Sequence, residues 1–146
     1  MAFNKTTEGS FQLIGGDFNG AGASSIELKN KLTELGLDQD IIKRAAVISF
    51  EAEMNVIIHA AAGWLRYYIT PDRLRLVITD MGPGIKDIDL AMKDGYSTAP
   101  AWINEMGWGA GMGLPNIKKN SDEMKIDSVV GEGTTVEIII NLNQEG

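Results

Sequence analysis

Three polar side chains recur at a spacing of four in Glu51-Ala-Glu-Met-Asn55-Val-Ile-Ile-His59. On a helix, positions 51, 55 and 59 lie along one stripe. Their neighbours Met54, Ile57 and Ile58 are apolar, so polar groups at that edge need protein partners or a ligand. Asn55 offers a neutral carbonyl oxygen, a suitable hard ligand for a Mg²⁺ ion that already carries phosphate oxygens. One turn earlier, Glu51 can orient or deprotonate a nucleophile attacking a γ-phosphate. The plainer alternative is a structural helix, with Glu51 and Glu53 solvated and Asn55 and His59 satisfied at the core edge.

A second segment, Thr79-Asp80-Met-Gly82-Pro-Gly84-Ile85, follows an apolar run and precedes a short helical pattern. Asp80 falls at the end of a strand, where its carboxylate can accept a hydrogen bond from an adenine amino group. Gly82 and Gly84 allow a sharp turn and close approach to a flat ring. An ordinary turn would use the same Gly-Pro-Gly chemistry.

In a third segment, Gly107-Trp-Gly109-Ala-Gly111-Met-Gly113-Leu-Pro, glycines alternate with other residues up to a helix start. Glycine lets consecutive backbone amides converge on an anion, and a helix N-terminus adds positive potential. The Lys-Ser/Thr of a Walker loop is absent, and no buried strand immediately precedes the glycines as in a Rossmann turn. A flexible linker would more often contain serine, so phosphate binding is the better reading. The fourth segment, Gly131-Glu-Gly133-Thr134-Thr135, reads as a tight strand-to-strand turn whose hydroxyl at Thr134 can reach a base pocket; alone it would be a plain hairpin.

The elements that must position these residues follow from periodicity. Phe11–Phe18 reads as a short strand interrupted by a Gly-Gly pair, and Ser25–Leu35 as a helix stopped by Gly36. Asp38–Ala62 is the longest helical pattern, with Asp38 as N-cap. Trp64–Thr70 and Arg73–Asp80 are strands joined at Pro71-Asp72, and Ile85–Lys93 is a short helix. Asp94–Gly113 is irregular. Leu114–Asn120 begins a helix with Pro115 in its first turn, and Met124–Val130 and Thr134–Leu142 are strands. The sum is α/β: a two-layer sandwich of helices on a mixed, mostly antiparallel sheet.

The whole chain is consistent with one domain over its 146 residues, of which 44% are hydrophobic and 23% charged. It has no cysteine, hence no disulfide or thiolate metal site. No apolar stretch is long enough to span a bilayer, and Met1–Ser10 does not read as a secretory signal. A net charge of −7 argues against a general nucleic-acid grip.

In their order and content the four segments resemble the GHKL group of ATPases: gyrase-type, Hsp90-type and histidine-kinase ATP-binding domains. The Glu51/Asn55/His59 helix matches that group's N box. Asp80-x-Gly82-x-Gly84 matches its first glycine box, Gly107–Gly113 its lid box and Gly131–Thr134 its last box. The resemblance covers roughly residues 40–140 and implies a Bergerat-type α/β sandwich with ATP between lid and sheet. Within the group the chain looks most like the small anti-sigma factor and serine-protein kinases of the RsbT, RsbW and SpoIIAB kind. It ends soon after the last box, and no phosphoacceptor-histidine hairpin precedes the N box. Asp94-Gly-Tyr-Ser-Thr-Ala before the lid is especially like the RsbT branch, whereas the Trp102–Trp108 region departs from the pattern.

Carried over by position, the resemblance makes Glu51 the catalytic base, Asn55 the Mg²⁺ ligand and Asp80 the adenine reader. Gly82 and Gly84 shape the turn beside the base, Gly107, Gly109, Gly111 and Gly113 form the lid, and Thr134 lies at the base pocket. The implied activity is phosphorylation of a small STAS-domain regulatory protein, using ATP and Mg²⁺ in the cytoplasm. The alternative is an ATP-loaded protein that sequesters a sigma factor. A detached histidine-kinase ATP domain is disfavoured as a self-contained enzyme, because the single histidine, His59, lies inside the ATP site. Homodimers are common in the family, but nothing in the sequence fixes an interface.

Overall fold

The computed structural model describes residues 6–93 and 113–142. Five strands, β1 (Thr7–Ile14), β2 (Ala62–Ile69), β3 (Arg73–Asp80), β4 (Glu123–Val129) and β5 (Gly133–Asn141), form one sheet in the order β1-β2-β3-β5-β4. Every pairing is antiparallel. Four helices accompany it among the described residues: α1 (Ala23–Glu34), α2 (Gln39–His59), α3 (Ile88–Ala91) and α4 (Gly113–Asn120). Among these residues, no helix is long and apolar enough to cross a membrane.

The period of two in the strands makes the two layers. Leu65, Tyr67 and Ile69 of β2 oppose Ile78, Leu76 and Leu74 of β3, which in turn oppose Val136, Ile138 and Ile140 of β5. All are buried. They meet Ile41, Ala45, Ile48, Ala52 and Val56 of α2, Leu28 and Leu32 of α1 and Ile117 of α4 in one core. Fully burying a residue of this kind stabilises the fold by about 1.5–3 kcal/mol. The intervening residues cover the other face with long polar and aromatic side chains: Arg66 lies 5.3 Å from the Trp64 ring centre and Arg75 lies 4.9 Å from that of Tyr68.

Several boundaries differ from the sequence expectations. The first strand ends at Ile14 rather than running to Phe18, because Gly15 and Gly16 turn away and donate to Ala61 O and Ile57 O, both at 2.8 Å. The expected helix Ile85–Lys93 shrinks to Ile88–Ala91: the Ile85 amide is taken by Ser128 Oγ at 2.7 Å, and the helix starts only where Asp87 Oδ1 accepts from Leu90 N. Asp38 stands at the N-cap of α2, but its side chain makes no capping bond. The β2–β3 turn is closed by Thr70, whose hydroxyl accepts from the Asp72 and Arg73 amides at 3.3 and 3.2 Å.

Candidate functional site

The site is built around α2 and the end of β3. Glu51 and Asn55 are half-buried on the face of α2 that meets α4, while His59 is exposed at the helix end. The stripe read from sequence therefore exists, and α4 is what covers part of it. Glu51 Oε2 accepts from Asn116 Nδ2 at 3.0 Å. Asn55 faces Gly113, the first residue of α4: a Cβ there would stand 3.0 Å from Asn55 Oδ1 and 3.3 Å from Nδ2. Glycine keeps that amide uncrowded, and the Asn55 side chain makes no hydrogen bond among the described residues.

Asp80, the last residue of β3, lies opposite Thr134 in the sheet. Its Oδ1 accepts from the Gly82 amide at 2.9 Å and from the Thr134 amide at 3.2 Å, so one carboxylate oxygen ties the Gly82–Gly84 turn to β5. Thr134 is buried, and its hydroxyl lies 2.8 Å from that of Ser128 on β4. Ser128 also holds the Ile85 amide. Gly84 has φ +80, and a Cβ on it would come within 2.5 Å of Val129 O. Only glycine combines that backbone with that approach to β4. Gly82 packs beside Ala60 and the His59 carbonyl, which brings the Asp80 turn to the C-terminal end of α2.

His59 senses the same neighbourhood. Partial burial strips water from the imidazole and holds its pKa below the ordinary 6.5, against the Asp80 carboxylate, which raises it. It keeps an exposed surface.

Glu51, Asn55, Asp80, Gly82, Gly84, Gly113 and Thr134 are thus gathered along α2 and the β3–β5 end of the sheet. Gly107, Gly109 and Gly111, with Trp102, Trp108 and the Asp94–Ala99 run, lie outside the described residues. Two contributors have no mark in the sequence: Asn116, hidden in an ordinary helical turn, and Ser128, one hydroxyl in a polar strand. The plainer alternative, in which Glu53 is solvated, is overturned for that residue. It is 3% exposed, and its two carboxylate oxygens accept from the Gly22 amide at 3.0 Å and the Ser25 amide at 3.4 Å. A carboxylate at the N-terminus of α1 meets unsatisfied amides and positive potential.

Chemically, the arrangement offers an amide oxygen, a carboxylate one turn away and a carboxylate at a strand end whose Oδ2 makes no hydrogen bond among the described residues. No cluster of three or more His, Cys, Asp or Glu that could hold a metal occurs among those residues. The Asn55 side chain, uncrowded opposite Gly113, offers a neutral amide oxygen of the kind a hard cation already carrying phosphate oxygens can take.

The family described as histidine kinase-like ATPase domain matches residues 26–140. The serine/threonine-protein kinase RsbT of Bacillus subtilis (strain 168) is 34% identical over 115 residues, covering 76% of this chain and 80% of RsbT. The anti-sigma F factor of Anoxybacillus flavithermus is 30% identical over 111 residues, covering 72% of this chain and 73% of that protein. A crystal structure of the RsbU and RsbW domains of Rv1364c from Mycobacterium tuberculosis has the same fold over 92% of this chain, with TM-score 0.59 and 17% identity; the match spans 32% of that longer chain. An antiparallel sheet carrying an Asn-bearing helix and an Asp at a strand end, together with a family match over most of the chain, places this protein in the histidine kinase-like ATPase family, among the small kinases and anti-sigma factors.

Proposed function

We propose that this chain is an ATP-dependent serine/threonine protein kinase acting on a small STAS-type anti-sigma antagonist in a bacterial partner-switching pathway, in the cytoplasm. The observation that carries the reading is Glu51, one turn from Asn55 on the face of α2 that meets α4, with one carboxylate oxygen bonded and the other unengaged among the described residues. Similarity to the serine/threonine-protein kinase RsbT supports a serine or threonine hydroxyl as the acceptor.

ATP, with Mg²⁺ held at Asn55, supplies the phosphoryl group and the cation that offsets its charge. Asp80 accepts from the adenine amino group through Oδ2, and Thr134 and the Gly82–Gly84 turn border the base. The glycines 107, 109, 111 and 113 supply amides for the phosphates. Glu51 takes the proton of the acceptor hydroxyl as that oxygen bonds to the γ-phosphorus. The bond from phosphorus to the bridging oxygen then breaks, and ADP departs with the electron pair.

Phosphoryl transfer and nucleotide affinity, measured separately, test the reading. Glu51→Ala should keep ATP bound and lose transfer by roughly 10²–10⁴-fold, and Asn55→Ala should lose the Mg²⁺-dependent part of ATP affinity. Transfer at the wild-type rate by Glu51→Ala would remove Glu51 as base. A second reading, an ATP-loaded protein that sequesters a sigma factor, draws on the similarity to anti-sigma F factors. A pull-down in ATP separates the two: a STAS protein favours the first, a sigma subunit the second.

A further inference from the structure

Asn116 lies one turn into α4, and its Nδ2 donates to Glu51 Oε2 across 65 residues of sequence. The backbone carrying it is pinned. Pro115 and Ile117 are buried on either side. Asn120 Nδ2 donates to the Asn116 carbonyl at 2.9 Å, Arg44 Nε donates to the Asn120 carbonyl at 2.9 Å, and Arg44 pairs with Asp122 at 3.2 Å. The amide is therefore delivered to Glu51 from a fixed point.

The choice of side chain matters. A lysine or arginine here would neutralise the carboxylate and weaken it as a base, whereas a neutral amide fixes its direction and leaves its charge. The bond occupies Oε2. Oε1 makes no hydrogen bond among the described residues and is the oxygen left to accept a proton. A glutamate otherwise has several rotamers to choose from, and misplacing a reacting group by about 1 Å can cost about 10²-fold in rate.

We propose that Asn116 is a positioning residue for phosphoryl transfer: its amide holds Glu51 so that Oε1 is presented to the attacking hydroxyl. The proposal rests on the kinase reading above, in which Glu51 is the base. It differs from a mere α2–α4 bracket in one respect. A bracket acts whether or not residue 51 is a carboxylate; a positioning residue acts only through it.

A double-mutant cycle tests this. The readout is single-turnover release of inorganic phosphate from Mg²⁺-ATP, with water standing in for the protein hydroxyl, alongside calorimetric Kd for Mg²⁺-ATP and a thermal melt. Asn116→Ala should slow release by roughly 10–100-fold while Kd stays within about twofold. Asn116→Gln, which can still donate, should recover part of the rate, and Asn116→Asp, which sets carboxylate against carboxylate, should recover none. On a Glu51→Ala background, Asn116→Ala should slow release no further. Should Asn116→Ala melt early, the Gln and Asp variants carry the same comparison. Equal slowing by Asn116→Ala with and without Glu51, or an Asp variant as fast as the Gln variant, would overturn the proposal and leave the kinase reading standing. A Glu51→Ala protein as fast as wild type would overturn both.

Discussion

Asp80 commits one carboxylate oxygen to the fold and leaves the other unengaged among the described residues. Because Oδ1 holds the Gly82 and Thr134 amides, Asp80→Asn can keep those two bonds through its own carbonyl oxygen, while its other atom becomes an NH₂ donor. That variant should weaken ATP binding without unfolding the protein, read by calorimetry and a melt. Guanine presents a carbonyl where adenine presents an amino group, so ATP should bind roughly tenfold or more tighter than GTP, a mispaired polar group costing about 1–3 kcal/mol. Equal affinities would take Asp80 out of that role. His59 gives a second residue-scale prediction. Its pKa in the folded state lies below the 6.5 of the free side chain, so the unfolded chain binds the proton first. The corresponding stability is present above about pH 6.5 and is lost as pH falls through the folded pKa. As the single histidine, it makes the test clean: urea midpoints should fall between about pH 7 and 5 in the wild type and fall less in His59→Gln. Identical slopes would refute it.

At the scale of elements, α2 does two jobs at once. Its stripe at 51, 55 and 59 faces the site, while Glu53 turns the other way and serves as a remote cap for α1, whose own N-cap residue Gly22 offers no side chain. The two helices are thereby locked together where the chain enters α1. Glu53→Ala leaves two amides without their acceptor and should destabilise the fold by about 1–3 kcal/mol, with Glu53→Gln intermediate because one amide oxygen can still accept. Denaturant titration measures both. A Glu53→Ala protein as stable as wild type would show that water replaces the carboxylate without loss. Helix α4 works in a similar way: Gly113 at its first residue and Asn116 one turn on reach two different members of the α2 stripe, so the docking of one short helix sets both.

For the whole molecule, the sheet is a platform whose buried face carries α1, α2 and α4, and the candidate site lies along α2 and at one end of that sheet. The net charge of −7 works against a nucleotide polyanion, so under the proposed function binding would depend on the local donors and on the cation that accompanies the phosphates. A ligand that binds only the folded state adds stability by mass action, about 2.7 kcal/mol at a concentration 100 times Kd. Mg²⁺-ATP at that excess should therefore raise Tm by about 5–10 °C, and EDTA should remove most of the gain. A Tm indifferent to Mg²⁺-ATP would mean that the folded chain does not hold the nucleotide.

What could be read in the sequence is what repeats along it. The period of two in Leu74, Leu76 and Ile78 gave β3 to the residue, and the 3.6-residue period gave the long helix carrying Glu51, Asn55 and His59. The order of the glycine segments pointed to the family that the comparisons show. Contacts between residues far apart in the chain leave no such trace. Glu53 looks like any surface glutamate until α1 is laid against it, and Asn116 and Ser128 carry no pattern because their partners are 65 and 43 residues away. Tertiary packing also moved the end of the first strand back to Ile14 and shortened the third helix, since the amides of Gly15, Gly16 and Ile85 found acceptors outside their own elements. A local pattern determines which face an element buries. Which polar groups then meet depends on how those faces dock, and a buried amide or carboxylate takes whichever partner that docking supplies.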